Sequence, residues 1–352
     1  MGESVMNGCG GLPVIGICGA SGSGKTTLIE ALIPRFLADG LRLAVIKDGA
    51  HRVAVDTPGK DSDRFFRAGA DVALCGAEQF MRTHAGCDFA SRAGSLGRDY
   101  DLVLVEGHAS TDIDKIWLLG QGHAGPPGHN GTILRQLSPD ERDPDAVHAW
   151  ITAWLQEAWR HIPVYGCILI GGKSSRMGQP KHLIRKNGRT WLELAVERLS
   201  PLVDEVVLSG RGTVPASLAH LVRLPDAPGL AGPMTGLLAA MRWQPDVSWL
   251  LLACDQPDFS TGAVEWLLDQ AGPGIRAVLP DLAGDGRLEP LLAWYGSRCC
   301  PLVEALAGQG QPRLSGLAGQ PGVITPKPPD RLRPAWRNVN TPADLARLRD
   351  HG

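Results

Sequence analysis

The sequence predicts an α/β fold in two domains, residues 1–161 and 162–352, each built on a mainly parallel sheet. Three observations lead there. The chain has 352 residues, beyond the roughly 100–200 of one domain. Short apolar, β-branched runs alternate with helix-period patterns from end to end, as strands and crossover helices do. Two glycine-rich stretches, GASGSGKTT and GGKSSRMGQPK, each follow an apolar run. A hydrophobic content of 43% with 20% charged residues is that of a globular chain, and the net charge of −2 excludes a general attraction to polyanions. Neither nucleic acid nor a membrane surface is therefore an expected partner. Lysine is scarce, yet Lys25, Lys173 and Lys181 all fall within the two glycine-rich stretches.

The first stretch, MGESVMNGCGGLPVIGICG, has an acidic and no basic residue before its apolar run, unlike a secretory leader. No run approaches the roughly 18–20 apolar residues of a membrane span. The eight cysteines contain no C-x-x-C pair, so neither a zinc site nor a disulfide framework is indicated. A soluble protein of the reducing cytoplasm is expected, with Cys299 and Cys300 as small buried residues.

PVIGICG reads as the first strand. The helix after it places Leu28, Ile29, Leu32, Ile33, Phe36 and Leu37 on one face, with Pro34 kinking it and Gly40 ending it. LRLAVIK, DVALC, DLVLVEG and KIWLL are further strands. DPDAVHAWITAWLQEAW is a closing helix whose Val147, Trp150, Ile151, Trp154 and Leu155 face the core, and HIPV is the hinge.

Gly19, Ala20, Ser21, Gly22, Ser23, Gly24, Lys25, Thr26 and Thr27 fit G-x-x-x-x-G-K-[ST] between a strand and a helix. The glycines let successive backbone N–H groups turn toward phosphates, Lys25 spans the terminal phosphates, and Thr26 is placed to ligate magnesium. Glu106, ending the strand DLVLVEGH, is the acid expected beside that metal. The charged run Asp56 to Arg64 reads as a solvated loop.

Together, GASGSGKTTLIEALIP, AVIKD, DTPGKDSDRFFRAGA and DLVLVEG resemble the molybdopterin-guanine dinucleotide biosynthesis adaptor family (MobB) over about residues 13–160. The resemblance implies a P-loop NTPase domain that binds GTP, hydrolyses it weakly and assists a guanylyltransferase. Where that family often has histidines after the second strand, this chain has KDGAH, with Asp48 and His51.

In the second half VYGCILIGG, EVVLS and VSWLLLACD are strands, and WLELAVERL turns Leu192, Ala195, Val196 and Leu199 to one face. NTPADLARL is a helix start with Thr341 as its cap. LIGGKSSRMGQPK is neither a second P-loop nor G-x-G-x-x-G. Gly171 and Gly172 would let the chain pass close to a base and ribose, while Arg176 and Lys181 reach a triphosphate from two sides. Such a loop suits transfer at the α-phosphate, where cations and a magnesium-binding carboxylate are needed rather than a covalent nucleophile. Asp255, ending an apolar strand, is the first choice for the metal. Asp226, before a glycine-rich turn into a helix, would lie beside the nucleotide, and Asp258 is expected to cap the helix near Thr261.

GGKSSRMGQPK, DAPGLAGPMTG, CDQPDF, GRLEPLLAWY and NVNTPADL, in this order, resemble the molybdenum cofactor guanylyltransferase family (MobA) over about residues 164–350. The resemblance implies a Rossmann-like nucleotidyltransferase domain that joins GMP from GTP to molybdopterin and releases pyrophosphate. It implies GTP contacts from Leu169, Ile170, Gly171 and Lys181, Asp226 near the nucleotide, and magnesium and phosphate on Asp255. Asn338 and Asn340 would close the pterin or metal side. Arg185, Lys186 and Arg189 are candidates for the anionic pterin or a solvated face. Apo-molybdoenzymes or their chaperones follow as partners of the product. Three other readings stand beside this one: transfer from CTP, a GTP-dependent module that delivers finished cofactor with its transferase half inactive, and a sugar-phosphate nucleotidyltransferase.

Overall fold

The structure, a computed structural model, describes residues 12–47, 59–75, 78–84, 88–120, 128–171, 179–311, 313–341, 343–344 and 346. The chain divides into two compact units, Met1–Ala153 and Trp154–Gly352.

In the first unit, β1 (Val14–Gly19) runs into α1 (Lys25–Ala38), β2 (Leu43–Lys47), α2 (Asp61–Arg67) and the pair β3 (Val72–Cys75) and β4 (Gln79–Arg82). Then come α3 (Phe89–Asp99), β5 (Leu102–Glu106), β6 (Asp114–Leu118) and β7 (Ile133–Leu137). A parallel sheet in the order β2-β5-β1-β6-β7 forms the frame. Its central strands β1 and β5 are almost wholly buried, as the near-continuous apolar runs of a sheet covered on both faces require. α1 buries Leu28, Ile29, Leu32 and Phe36, each worth roughly 1.5–3 kcal/mol of burial. Leu37, expected on that face, is 54% exposed, because it lies off the stripe that four residues already fill. Pro34 lies inside α1, and the helix continues past it.

DVALC forms a strand, but outside the main sheet: β3 pairs antiparallel with β4 in a two-stranded ribbon. A four-residue apolar run specifies an extended backbone, and only tertiary structure supplies its partner. α3 is capped by Asp88, which accepts from the Ser91 N–H at 3.1 Å. α4 (Pro144–Arg160) spans the division between the units. It buries Val147, Ile151 and Leu155 as expected, but Trp150 and Trp154 are only half-buried. Trp150 lies under the Arg135 guanidinium at 5.9 Å, a use of the ring face that a core position does not need.

The second unit contains β8 (Val164–Ile170), β9 (Arg185–Lys186), β10 (Arg189–Thr190), α5 (Trp191–Leu199), β11 (Glu205–Gly210) and β12 (Arg223–Leu224). It continues with α6 (Pro233–Trp243), β13 (Ser248–Ala253), α7 (Thr261–Asp269), β14 (Ala277–Val278), β15 (Ala293–Tyr295), α8 (Cys300–Gly308) and β16 (Val323–Ile324). The sheet order is β12-β11-β8-β13-β15-β14-β16. β12, β11, β8 and β13 are parallel, whereas β15 enters antiparallel between β13 and β14. Two cores sandwich the sheet: Met234, Leu237, Leu238 and Met241 of α6 with Val303 and Leu306 of α8 on one face, and α5 and α7 with Trp336 on the other. The Thr190 hydroxyl accepts from the Glu193 N–H at 3.2 Å, and the Glu193 carboxylate accepts back from the Thr190 N–H at 2.7 Å, a reciprocal cap on α5.

Ser260 caps α7 through the Ala263 N–H, in place of the expected Asp258, which faces Arg337 at 3.9 Å. Cys299 is fully buried and its thiol is pushed up to about 12 by that burial, while Cys300 is half-buried at the start of α8. Among the described residues the cysteines are free, no cluster of three His, Cys, Asp or Glu side chains is arranged for a metal, and no helix is long and apolar enough to cross a membrane.

Candidate functional sites

The first site lies where β1 runs into α1. Gly19 passes so close to β6 that a Cβ there would stand 2.6 Å from the Leu118 carbonyl and 2.7 Å from Ser23 Oγ, so only glycine fits. Gly24 precedes α1 in a left-handed conformation. Lys25 Nζ folds back on the loop, donating to the Gly19 carbonyl at 3.1 Å and the Ala20 carbonyl at 2.8 Å. Ala20, Ser21, Gly22, Thr26 and Thr27 are exposed, as a ligand-facing loop requires.

Glu106 lies against the start of α1. Thr26 Oγ1 donates to Glu106 Oε1 at 2.7 Å across 80 residues of sequence, and Lys47 Nζ pairs with Glu106 Oε2 at 3.0 Å. Burial pushes the Glu106 carboxyl upward, but hydrogen bonds from Thr26 and Lys47 and the nearby Lys25 charge outweigh it and hold it below its ordinary range. A carboxylate beside a threonine hydroxyl is an oxygen donor set that suits magnesium.

Two further side chains carry no sequence motif. Arg142, just after β7, donates to the Ser23 carbonyl at 2.7 Å and to the Leu119 carbonyl, clamping the glycine-rich loop to the end of β6. Lys115 is fully buried, with its ammonium donating to the carbonyls of Thr111, Ile113 and Asn130. It ties together the loops that flank β6.

The second site gathers at the carboxyl ends of β8 and β13. Leu169, half-buried, and Ile170, buried, end β8 and lead to exposed Gly171. A Cβ on Gly171 would stand 2.6 Å from the Arg211 carbonyl, and one on Gly210 would stand 1.9 Å from the Ile170 carbonyl. These glycines therefore serve a backbone-to-backbone approach between the ends of neighbouring strands, a requirement the sequence does not announce. Gly172 and Arg176 lie outside the described residues, as do Asp48, His51 and Asp56.

Lys181 opens a short 3₁₀ turn. Its Nζ donates to Asp255 Oδ2 at 2.8 Å and to Asn340 Oδ1 at 2.7 Å. The Asp255 carbonyl accepts from the Val339 N–H at 2.9 Å, so the NVNTP segment is laced to the strand end that carries Asp255. Val339 is buried against Ile184 and Trp191. Asn338 is half-buried. Asp344 accepts from the Asn340 N–H at 3.1 Å, the Thr341 N–H at 2.9 Å and the Thr341 hydroxyl at 2.8 Å. The Asp344 N–H returns a bond to Thr341 Oγ1 at 3.2 Å, the cap expected there.

Beside Lys181, the His182 ring is buried and bonds the Thr213 carbonyl at 3.0 Å. Burial holds this imidazole below its ordinary pKa, so its neutral Nε2–H donates and anchors the loop after β11 to the lysine turn. Asp226 is exposed and accepts from the Thr235 hydroxyl at 3.3 Å. Arg185 bonds the Gly188 carbonyl and Arg189 pairs with Glu197, local contacts that suit a solvated face. Lys186 lines a small cavity with Trp191, Arg198 and Cys254.

Asp255 Oδ1 is buried without a hydrogen-bond partner among the described residues. An unsatisfied buried acceptor costs roughly 1–3 kcal/mol. An oxygen left free while its twin is fixed by an ammonium suits a divalent cation, which takes one or two carboxylates and completes its shell with substrate phosphates. With a divalent cation on that oxygen, the Lys181 ammonium and the Asp255 carboxylate could hold and neutralise a polyphosphate without a covalent nucleophile.

Comparison with known proteins gives two family matches. The MobA-like NTP transferase domain matches residues 166–320, and Molybdopterin guanine dinucleotide synthesis protein B matches residues 14–130. Over 160 residues the chain is 30% identical to a Probable molybdenum cofactor guanylyltransferase of Bacillus cereus (strain Q1), covering 44% of this chain and 79% of that protein. It is 36% identical over 138 residues to a Molybdenum cofactor biosynthesis bifunctional protein of Synechocystis, covering 38% of this chain and 39% of that one. It is 38% identical over 112 residues to a Molybdopterin-guanine dinucleotide biosynthesis adapter protein of Haemophilus influenzae, covering 30% of this chain and 63% of that one. The matched segments thus span less than two thirds of the Synechocystis and Haemophilus proteins.

Proposed function

The chain belongs to the molybdenum cofactor guanylyltransferase family, and from that premise we propose that residues 162–352 transfer GMP from GTP to molybdopterin while residues 1–161 form a GTP-binding adaptor domain. In the transfer, a terminal phosphate oxygen of molybdopterin attacks the α-phosphorus of GTP. A new phosphoanhydride bond forms, the bond to the bridging α,β-oxygen breaks, and pyrophosphate leaves with its electron pair.

The observation that carries this reading is the Lys181–Asp255–Asn340 group with its unclaimed carboxylate oxygen. Lys181 neutralises charge at the α-phosphate, and Asn340 fixes the direction of that ammonium. Asp255 would hold magnesium through Oδ1 in this half, and Thr26 with Glu106 would hold it in the other. When bound, magnesium neutralises the phosphates and orients them for displacement. Leu169, Ile170, Gly171 and Gly172 border the nucleotide, Arg176 supplies a second cation, and Asp226 lies on the ribose or base side. Asn338 is assigned, with Asn340, to the pterin or metal side. Because positioning and electrostatics supply the catalysis, no protein nucleophile is needed.

Two loops of different design fit two tasks. The P-loop grips the β- and γ-phosphates, where GTP is bound or slowly hydrolysed. The second loop leaves the α-phosphate open to attack. A cytoplasmic location and delivery of the product to apo-molybdoenzymes or their chaperones belong to this reading. The test is a panel of the four nucleoside triphosphates with molybdopterin and magnesium, scored by product mass and pyrophosphate release. GTP alone should yield dinucleotide. A CTP product would reassign the base, and no product from any triphosphate would leave a binding module.

A further inference from the structure

We propose that Lys47 is a second phosphate-binding cation of the P-loop site, placed to meet the γ-phosphate of a bound triphosphate; this rests on the reading of residues 1–161 as a GTP-binding domain. Lys47 is the last residue of β2 and stands in register with Glu106 at the end of β5. Glu106 is in turn in register with Ile17 of β1, which runs directly into the glycine-rich loop. The carboxyl ends of three adjacent parallel strands thus bring together the loop, the acid and this lysine, at the edge where open α/β sheets present ligands.

The two carboxylate oxygens of Glu106 are divided. Thr26 Oγ1 takes Oε1 at 2.7 Å and Lys47 Nζ takes Oε2 at 3.0 Å. Thr26 and Glu106 are the residues that would hold magnesium, so the Lys47 ammonium touches the same carboxylate from its other side. Lys25, the lysine of the P-loop pattern, rests on the Gly19 and Ala20 carbonyls of its own loop. Lys47 comes from outside that loop: its side chain is 66% exposed and Glu106 holds its tip. The lysine end of the pair stands largely in solvent, where such an attraction is weak, so a phosphate that brings further negative charge readily redirects the ammonium. A nearby second lysine adds most to the nucleotide that carries the extra phosphate, because GTP and GDP differ only there.

The experiment measures binding of GDP and of a non-hydrolysable fluorescent GTP analogue to the full chain in magnesium buffer, for wild type, Lys47→Ala and Lys47→Arg. Exposure of Lys47 makes unfolding of these variants a minor concern, and a thermal melt checks it. The expected result is a tenfold or greater loss of affinity for the triphosphate in Lys47→Ala, a change below twofold for GDP, and recovery of most of the triphosphate affinity in Lys47→Arg. Equal losses for both nucleotides would assign Lys47 to holding Glu106 alone and overturn the proposal, as would no loss for either. A wild-type chain that binds neither nucleotide at the loop, with Lys25→Ala indistinguishable from it, would overturn the P-loop reading itself.

Discussion

Replacing Asp255 by asparagine removes one negative charge from the Lys181 ammonium and alters the shape of the site little. At the observed 2.8 Å, two unit charges attract by about 6 kcal/mol at an effective dielectric constant near 20. Both side chains keep some contact with water, at 16% and 21% exposure, and Lys181 retains Asn340 as an acceptor. Lost solvation therefore offsets most of the attraction, and Asp255→Asn should cost about 1–2 kcal/mol of stability. In the transfer reaction the same change removes the free anionic oxygen that would bind magnesium. Loss of one preorganised electrostatic group of this kind costs roughly 10²–10³ in rate. Steady-state pyrophosphate release across a magnesium titration reads the effect, with a thermal melt alongside. The expected outcome is a fall in kcat/KM of about 10³, near 4 kcal/mol, with a Tm lowered by only about 2–6 °C. Transfer within about threefold of wild type would make Asp255 a structural partner of Lys181 and refute the reasoning.

Further perturbations separate the parts. Lys25→Ala should abolish nucleotide binding at the P-loop and leave guanylyl transfer largely intact, whereas Lys181→Ala should abolish transfer; equal loss of transfer from both would contradict the division of labour. Arg142→Ala strips the clamp from the Ser23 and Leu119 carbonyls and should lower stability by about 1–3 kcal/mol and weaken P-loop nucleotide affinity, read by denaturant melts and nucleotide titration. Gly210→Ala places a Cβ 1.9 Å from the Ile170 carbonyl at a φ of 114° and should cost about 3 kcal/mol or more; a variant with an unchanged melt would mean the strand ends are looser than described. Glu193 is held at about 2, against an ordinary 4.5, by the Ser217 hydroxyl and then by the Thr190 backbone N–H and hydroxyl. Its folded pKa lies below the unfolded value, so the unfolded state binds more protons and stability falls as pH drops from about 4.5 toward about 2. Glu193→Gln keeps an acceptor for the cap and should flatten that part of the stability curve.

Local sequence signals reported the parts whose chemistry is local. The P-loop was legible because glycine, lysine and threonine spacing follows from how backbone N–H groups wrap a phosphate, and α1 follows from the 3.6-residue period of Leu28, Ile29, Leu32 and Phe36. Thr341 was legible as a cap because its partner, Asp344, is three residues away. What escaped depends on distance along the chain. Asn340 reaches Lys181 across 159 residues, and although the family resemblance pointed to the asparagine, nothing in the spacing names the lysine as its partner. Lys47 lies in the AVIKD stretch that carries the family resemblance but in no phosphate-binding pattern, Arg142 lies in no quoted motif, and only sheet order brings them to the loop. β3 reads as a strand in isolation, yet its antiparallel mate β4 carries exposed Phe80 and Met81 and shows no buried-strand pattern. The antiparallel entry of β15 is equally silent, since an apolar run between two buried neighbours reads the same in either direction.

The decisive quantity is the position of the α-phosphate of GTP in residues 162–352. A crystal structure of the chain with a non-hydrolysable GTP analogue and manganese in place of magnesium, with anomalous data, measures that directly. The expected result is an α-phosphate within hydrogen-bond distance of Lys181 Nζ and an anomalous peak on Asp255. Nucleotide density confined to the glycine-rich loop of Lys25, or an α-phosphate remote from both Lys181 and Asp255, would contradict it.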